Sequence, residues 1–221
     1  MPASTSSSSA VVSHGLTLGR APQLGTRDFV GRDAELEKLE LLLVPKPVRN
    51  VVALVGAGGL GKTQLAITFA QRFHQQYSSV FWLNAKDETS LKQDLAELAD
   101  TVLDSDQGAN SNSADQGEII QRVNKWFSRS DNTQWLLILD NYDDPKFPGL
   151  SSPTGYDIRK YFPRRNQGSI LITTRSQRLD FAGQLRLGIF TDLQESIEIL
   201  SARAGYDLTG GEWSLPVDEY Y

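Results

Sequence analysis

Cysteine is absent from all 221 residues. That excludes disulfides, thiolate zinc sites and cysteine nucleophiles, and it fits a reducing compartment. No apolar run approaches the roughly 20 residues that a membrane-crossing helix needs, so no membrane span is expected. Positive charge is in the minority: 22 Lys and Arg stand against 27 Asp and Glu, for a net charge of -5 and a pI near 5.1. That balance gives no general electrostatic grip on nucleic acid or on an anionic membrane, and no direct nucleic-acid partner is expected. No internal repeat is found.

Acids are missing from the opening stretch MPASTSSSSAVVSHGLTLGRAPQLG, which is rich in Ser and Thr and carries Arg20. An organelle transit peptide would be amphipathic and richer in arginine, and a secretory signal would have a charged start and a continuous apolar core. Residues 1–25 are therefore expected to be a disordered leader or linker, and the protein is expected to be cytoplasmic. With 39% hydrophobic residues, the remainder suits one α/β domain with a core of its own.

From residue 28 the text becomes periodic. RDAELEKLELLLV sets Leu36, Leu39, Leu42 and Leu43 at helical spacing, with acids in the first turn, where the helix dipole favours them. Proline in PKPVRN ends that helix. VVALVG reads as a strand buried on both faces, and KTQLAITFAQRFHQQY as a helix with Leu65, Ala66, Phe69, Ala70 and Phe73 on its apolar stripe. VFWLNA, WLLILD and SILITT are further strands, and LRLGIF is a weaker fifth. Helices are expected at SLKQDLAELADTVL, EIIQRVNKWFS and DLQESIEILSARAG, with a polar loop at DSDQGANSNSADQG. Short apolar strands alternating with helices predict a mainly parallel, five-stranded sheet covered on both faces, a three-layer sandwich.

Gly56, Gly61, Lys62 and Thr63 satisfy G-x-x-x-x-G-K-[ST] between a strand and a helix, which is the context that gives the pattern its meaning. Glycines let successive backbone N–H groups curl around phosphate oxygens, and the following helix directs its positive end to the same place. Lys62 adds a point charge for the terminal phosphates, and the Thr63 hydroxyl is a Mg²⁺ ligand. The binding set expected here is Gly56, Gly58, Gly59, Leu60, Gly61, Lys62, Thr63 and Gln64.

WLLILDNYDD ends a buried strand in Asp140, at the sheet edge where ligands of open α/β sheets bind. Behind a phosphate loop, a carboxylate there assists Mg²⁺; alone it would read equally as a cap. Asn141 follows where a second acid could have polarised water, and an amide is a poor base. Asp143 and Asp144 either substitute as the base or cap the next turn. Arg175, closing GSILITTRS, either reads a γ-phosphate or is a solvated strand end.

The ordered set FVGRDAEL, GAGGLGKT, VFWLNA, WLLILDNYDD and GSILITTR resembles the NB-ARC nucleotide-binding domain of the STAND NTPases. That family includes plant disease-resistance receptors, the apoptosome scaffold and fungal NOD-like receptors. The resemblance spans about residues 28–205 and implies a P-loop NTPase fold binding ATP or ADP with Mg²⁺. It implies that Phe29, Val30, Gly31 and Arg32 line the adenine and ribose end. It gives Thr63 and Asp140 to the metal and γ-phosphate sensing to Arg175. Any catalysis is expected of Asp140, Asp143 and Lys62.

Three divisions follow: 1–25 as leader, 26–190 as the nucleotide-binding domain, and 191–221 as the truncated beginning of a helical subdomain. The family's Gly-Leu-Pro-Leu segment, its winged-helix domain with an ADP-holding histidine, and its repeat sensor domains are missing. Neither His14 nor His74 lies where that histidine would. The implied function is an innate-immunity signalling switch: ADP-bound at rest, slow to hydrolyse ATP, and self-associating through a larger parent protein when ATP is bound. The alternatives are a nucleotide-binding scaffold that has lost hydrolysis, and a true P-loop kinase or ATPase.

Overall fold

Within each long apolar run, neighbouring residues go to opposite faces of one sheet, as the period of two in a strand requires. A computed structural model describes residues 13–19, 21–22, 29, 31–103, 116–147, 154–189 and 193–204. Its elements in chain order are β1 (Gly15–Thr17), α1 (Asp33–Leu43), β2 (Asn50–Val55), α2 (Lys62–Phe73), β3 (Ser79–Asn84), α3 (Glu88–Leu103), α4 (Gln116–Phe127), β4 (Trp135–Asp140), β5 (Ser169–Thr174), β6 (Gly183–Arg186) and α5 (Leu193–Ala204). The six strands form one parallel sheet in the order β1-β3-β4-β5-β2-β6.

On one face, Ala53, Val55, Phe81, Leu83, Leu137, Leu139, Ile170 and Ile172 pack with Leu91, Leu95 and Leu98 of α3 and with Val123, Trp126 and Phe127 of α4. On the other, Val52, Leu54, Val80, Trp82, Leu136, Ile138 and Leu171 pack with Leu36, Leu39 and Leu43 of α1 and with Leu65, Ala66, Phe69 and Ala70 of α2. The outcome is the expected three-layer sandwich, its sheet covered on both sides. β5 lies between β2 and β4, so the turn after β2 opens beside the ends of both.

Several details differ from the sequence reading. Leu42 of α1 is largely out of the core at 41% exposure, because Leu36, Leu39 and Leu43 already fill the stripe facing the sheet. The fifth strand lies earlier than LRLGIF: β6 ends at Arg186, Leu187 N–H still donates to Val55 O at 2.7 Å, and Ile189 is exposed. A sixth strand, β1, comes from the stretch read as a leader. It pairs with β3, supported by Ser13 Oγ donating to Ser78 O at 2.5 Å and by the His14 ring against Phe81 and Trp126. Three residues carry too little alternation to announce a strand; its partner edge supplies the reason for it. The loop read at 104–115, the tail after 204 and most of the expected leader lie outside the described residues.

Candidate functional site

Three strand ends and one helix start meet at the C-terminal edge of the sheet. The turn after β2 carries the glycines. Gly59 and Gly61 both have φ of +82°, the left-handed region that costs other residues about 1–2 kcal/mol. A Cβ added at Gly58, Gly59 or Gly61 would meet nothing within 4 Å. Gly61 therefore serves the backbone conformation, and the space above the turn stays open. Gly56 has a different role. Its N–H donates to Thr174 O at 3.2 Å, and a side chain there would press at 3.1 Å on Leu187 O and Leu60 Cδ1. Gly56 thus seats the start of the turn against the ends of β5 and β6.

Lys62 and Thr63 open α2. The Lys62 ammonium donates to the carbonyls of Gly56 and Ala57, both at 2.8 Å, so it lies across the mouth of its own turn. Burial lowers its pKa from the ordinary lysine value; Asp143 and Asp140 act against that, and Arg175 adds to it. Four charged groups from three parts of the sequence therefore share one field.

Thr63 Oγ1 donates to Asp140 Oδ1 at 2.9 Å. Asp140 is 2% exposed and is the hub of the site. Thr173 Oγ1 also donates to Oδ1, at 2.6 Å, and Asn141 Nδ2 donates to Oδ2 at 3.0 Å. Burial raises the Asp140 pKa above the ordinary carboxylate value, with the bonds from Thr173 and Thr63 pulling the other way. A hydroxyl and a buried carboxylate in contact beneath an open glycine turn fit a Mg²⁺–phosphate ligand: hard oxygen donors on one side, N–H groups and an ammonium on the other.

Asn141 has φ of +68°, a conformation asparagine tolerates better than most residues. Its own N–H donates to Thr173 Oγ1 at 2.9 Å. Thr173 therefore supports both Asp140 and the turn that follows it, a role the sequence reading did not assign. Its one legible sign was a pair of hydroxyl residues ending an otherwise apolar strand. Asp144 accepts from Thr154 Oγ1 at 2.5 Å, within the loop beyond. Asp143 accepts from Arg175, at 2.7 Å from the backbone N–H to Oδ1 and at 2.5 Å from Nε to Oδ2.

The segment before α1 reaches the same edge by another route. Gly31 and Arg32 are consecutive left-handed residues, with φ of +78° and +65°. The buried Arg32 guanidinium donates to Gly188 O at 2.7 Å and pairs with Glu35 at 2.9 Å. Gly188 follows the Leu187 that touches Gly56, so Arg32 lies next to the phosphate turn through β6. Phe29 packs against the core of that face; Val30 lies outside the described residues. Leu60 is partly buried beside Gly56, and Gln64 sits partly buried in the first turn of α2. His14 packs at the β1 edge, and His74 Nδ1 lies 2.9 Å from Gln71 O, so neither is among the groups gathered at the turn. Among the described residues, no helix is long and apolar enough to cross a membrane.

Comparison with known proteins gives the family and the fold. The family model for the NB-ARC domain matches residues 32–208. A nucleotide-binding leucine-rich repeat (NLR)-like protein of Hyaloscypha variabilis is 29% identical over 161 residues, covering 68% of this chain and 16% of that protein. A probable disease resistance protein of Arabidopsis thaliana is 26% identical, covering 71% of this chain and again 16% of its own length. This chain thus spans about a sixth of these relatives. Among solved structures, the ORC1 protein of Aeropyrum pernix, determined in complex with DNA, superposes with a TM-score of 0.55 at 21% identity, over 81% of this chain and 51% of that one. CDC6P from Pyrobaculum aerophilum gives 0.52 at 16% identity, over 85% and 50%. These two likenesses establish the α/β fold alone.

Proposed function

This chain belongs to the NB-ARC family, and from that premise we propose that it is the adenine-nucleotide switch of a larger NOD-like-receptor-type signalling protein. The observation that carries the reading is the contact of Thr63 with Asp140 under the open glycine turn, with Lys62 above and Arg175 one strand away. The N–H groups of residues 58–63 and the Lys62 ammonium would hold phosphates, Thr63 and Asp140 would hold Mg²⁺, and Phe29, Val30, Gly31 and Arg32 would flank the adenosine end. Lys62 would exchange the carbonyls of Gly56 and Ala57 for phosphate oxygens, so loading costs it no unpaired charge.

The γ-phosphate distinguishes ATP from ADP, and only a ligand with differential contacts can shift a conformational equilibrium. Arg175, on the edge shared with Asp140, is the group assigned to that difference in this proposal. Beside Asp140 stands Asn141, whose amide is engaged on Oδ2. It offers no carboxylate to polarise water, which favours holding over rapid turnover. ADP at rest, slow Mg²⁺-dependent hydrolysis, self-association of the ATP-bound parent protein and action in the cytoplasm complete the proposal.

The test is to purify the chain without added nucleotide, denature it, identify what is released, and then measure turnover with Mg-ATP. Released ADP and turnover far below the ~1 s⁻¹ low end of ordinary enzymes is the expected result. Several turnovers per second would instead mark a true ATPase or kinase, and bound nucleotide with no turnover at all would mark a scaffold.

A further inference from the structure

Asp143 is tied to Arg175 twice. Its Oδ1 accepts the Arg175 backbone N–H at 2.7 Å and its Oδ2 accepts the side-chain Nε at 2.5 Å. Both carboxylate oxygens are therefore engaged with one residue 32 positions away in the sequence. The carboxylate is itself well anchored. Between it and Asp140, Tyr142 is 2% exposed; its N–H donates to Thr173 O at 2.9 Å, and its carbonyl accepts from Thr174 Oγ1 at 2.5 Å. Asp143 is only 25% exposed, while Arg175 is 62% exposed. The long cation is thus held by the shorter, firmer partner, and among the described residues its guanidinium is held through Nε alone. An arginine has five N–H donors in a rigid fork, so the terminal amino groups are left for an anion while the plane of the fork is set from behind.

We propose that Asp143 is a positioning residue, which orients the Arg175 guanidinium toward a γ-phosphate and so sets the preference for ATP over ADP, and does not act as the base for water. The inference rests on the nucleotide-switch reading above. It has a sign that simple charge would not give. Removing an acid near phosphates relieves repulsion and by itself strengthens binding, more for ATP than for ADP. Removing a positioning group weakens ATP selectively.

The experiment is calorimetric titration of the 221-residue chain with Mg-ADP and with a Mg-bound, non-hydrolysable ATP analogue. The variants are Asp143→Ala, Arg175→Ala and the double substitution. A partly exposed ion pair corresponds to a factor of about two to five in an equilibrium constant. Asp143→Ala should lower the analogue-to-ADP affinity ratio by about that factor with little change for ADP. Arg175→Ala should lower it at least as much, and Asp143→Ala added to Arg175→Ala should lower it no further. Asp143→Asn keeps an acceptor for the backbone N–H and should shift the ratio in the same direction, so it serves if the alanine variant folds poorly.

An unchanged or increased ratio in Asp143→Ala, or an effect that persists in the Arg175→Ala background, would overturn the inference while leaving the switch reading intact. A wild-type chain that binds neither nucleotide would overturn both.

Discussion

Gly168 shows what one residue decides at the start of β5. Its φ is +76°, and a Cβ built there would come within 2.3 Å of the Trp135 ring. That ring is fully buried, donates from Nε1 to Phe127 O at 3.1 Å, and stacks edge-on with Phe127. Neither side can yield, since β4 and β5 are neighbouring strands of the same sheet. Gly168→Ala should therefore cost about 2–4 kcal/mol, combining left-handed strain with overpacking. Urea unfolding followed by tryptophan fluorescence reads it, and a loss within ~0.5 kcal/mol, as at ordinary surface sites, would show that the ring can move. The same scale governs the site. The Asp140 hub depends on Thr173, whose hydroxyl is invisible to periodicity because a Thr that ends a strand looks like any other β-branched residue.

At the scale of elements, α3 is fastened at its first turn by a contact from the far side of the β4–β5 crossover. The Tyr161 hydroxyl, at the end of the short 3₁₀ turn Ile158–Tyr161, donates to Glu88 Oε1. That bond is the first cause holding the Glu88 carboxyl below its ordinary value of 4.5, with the nearby Lys92 charge and its hydrogen bond helping against partial desolvation. A group whose folded pKa is depressed adds stability above its unfolded pKa and loses it as the pH falls through the lowered folded value. Tyr161→Phe should thus lower stability at pH 7 by about 1 kcal/mol, given the exposure of Glu88. The deficit should shrink once the pH drops below 4.5. Melting curves of both proteins from pH 7 to pH 3 test the sign, and a deficit independent of pH would assign it to packing. α1 makes a related point. Its Leu36, Leu39 and Leu43 were legible as a stripe, but that Leu42 stays outside follows from where the sheet lies.

Across the whole molecule, ligand and fold are linked, because anything that binds the folded state alone stabilises it. At a hundredfold excess over Kd the gain is about 2.7 kcal/mol, or roughly 5–10 °C for a domain of this size. Lys62→Ala should abolish most of the shift produced by Mg-ADP and leave the nucleotide-free melting temperature nearly unchanged, since among the described residues the ammonium bonds only to carbonyls of its own turn. A variant that keeps the wild-type shift would count against Lys62 as a phosphate ligand. The sequence by itself determined the parallel three-layer architecture and the phosphate turn, because both rest on local chemistry: apolar runs of strand length, helical stripes, and glycines followed by lysine and threonine. It also marked Asp140 and Arg175 as strand ends facing one edge. Tertiary structure alone decided the rest. The strand order sets β5 between β2 and β4, which brings Thr173 under Asp140 and Asp143 onto Arg175, and it sets β6 beside β2, which brings Gly188 to Arg32. Each of these pairs is remote in sequence and depends on which strand lies beside which, a property of the assembled sheet that no single segment carries.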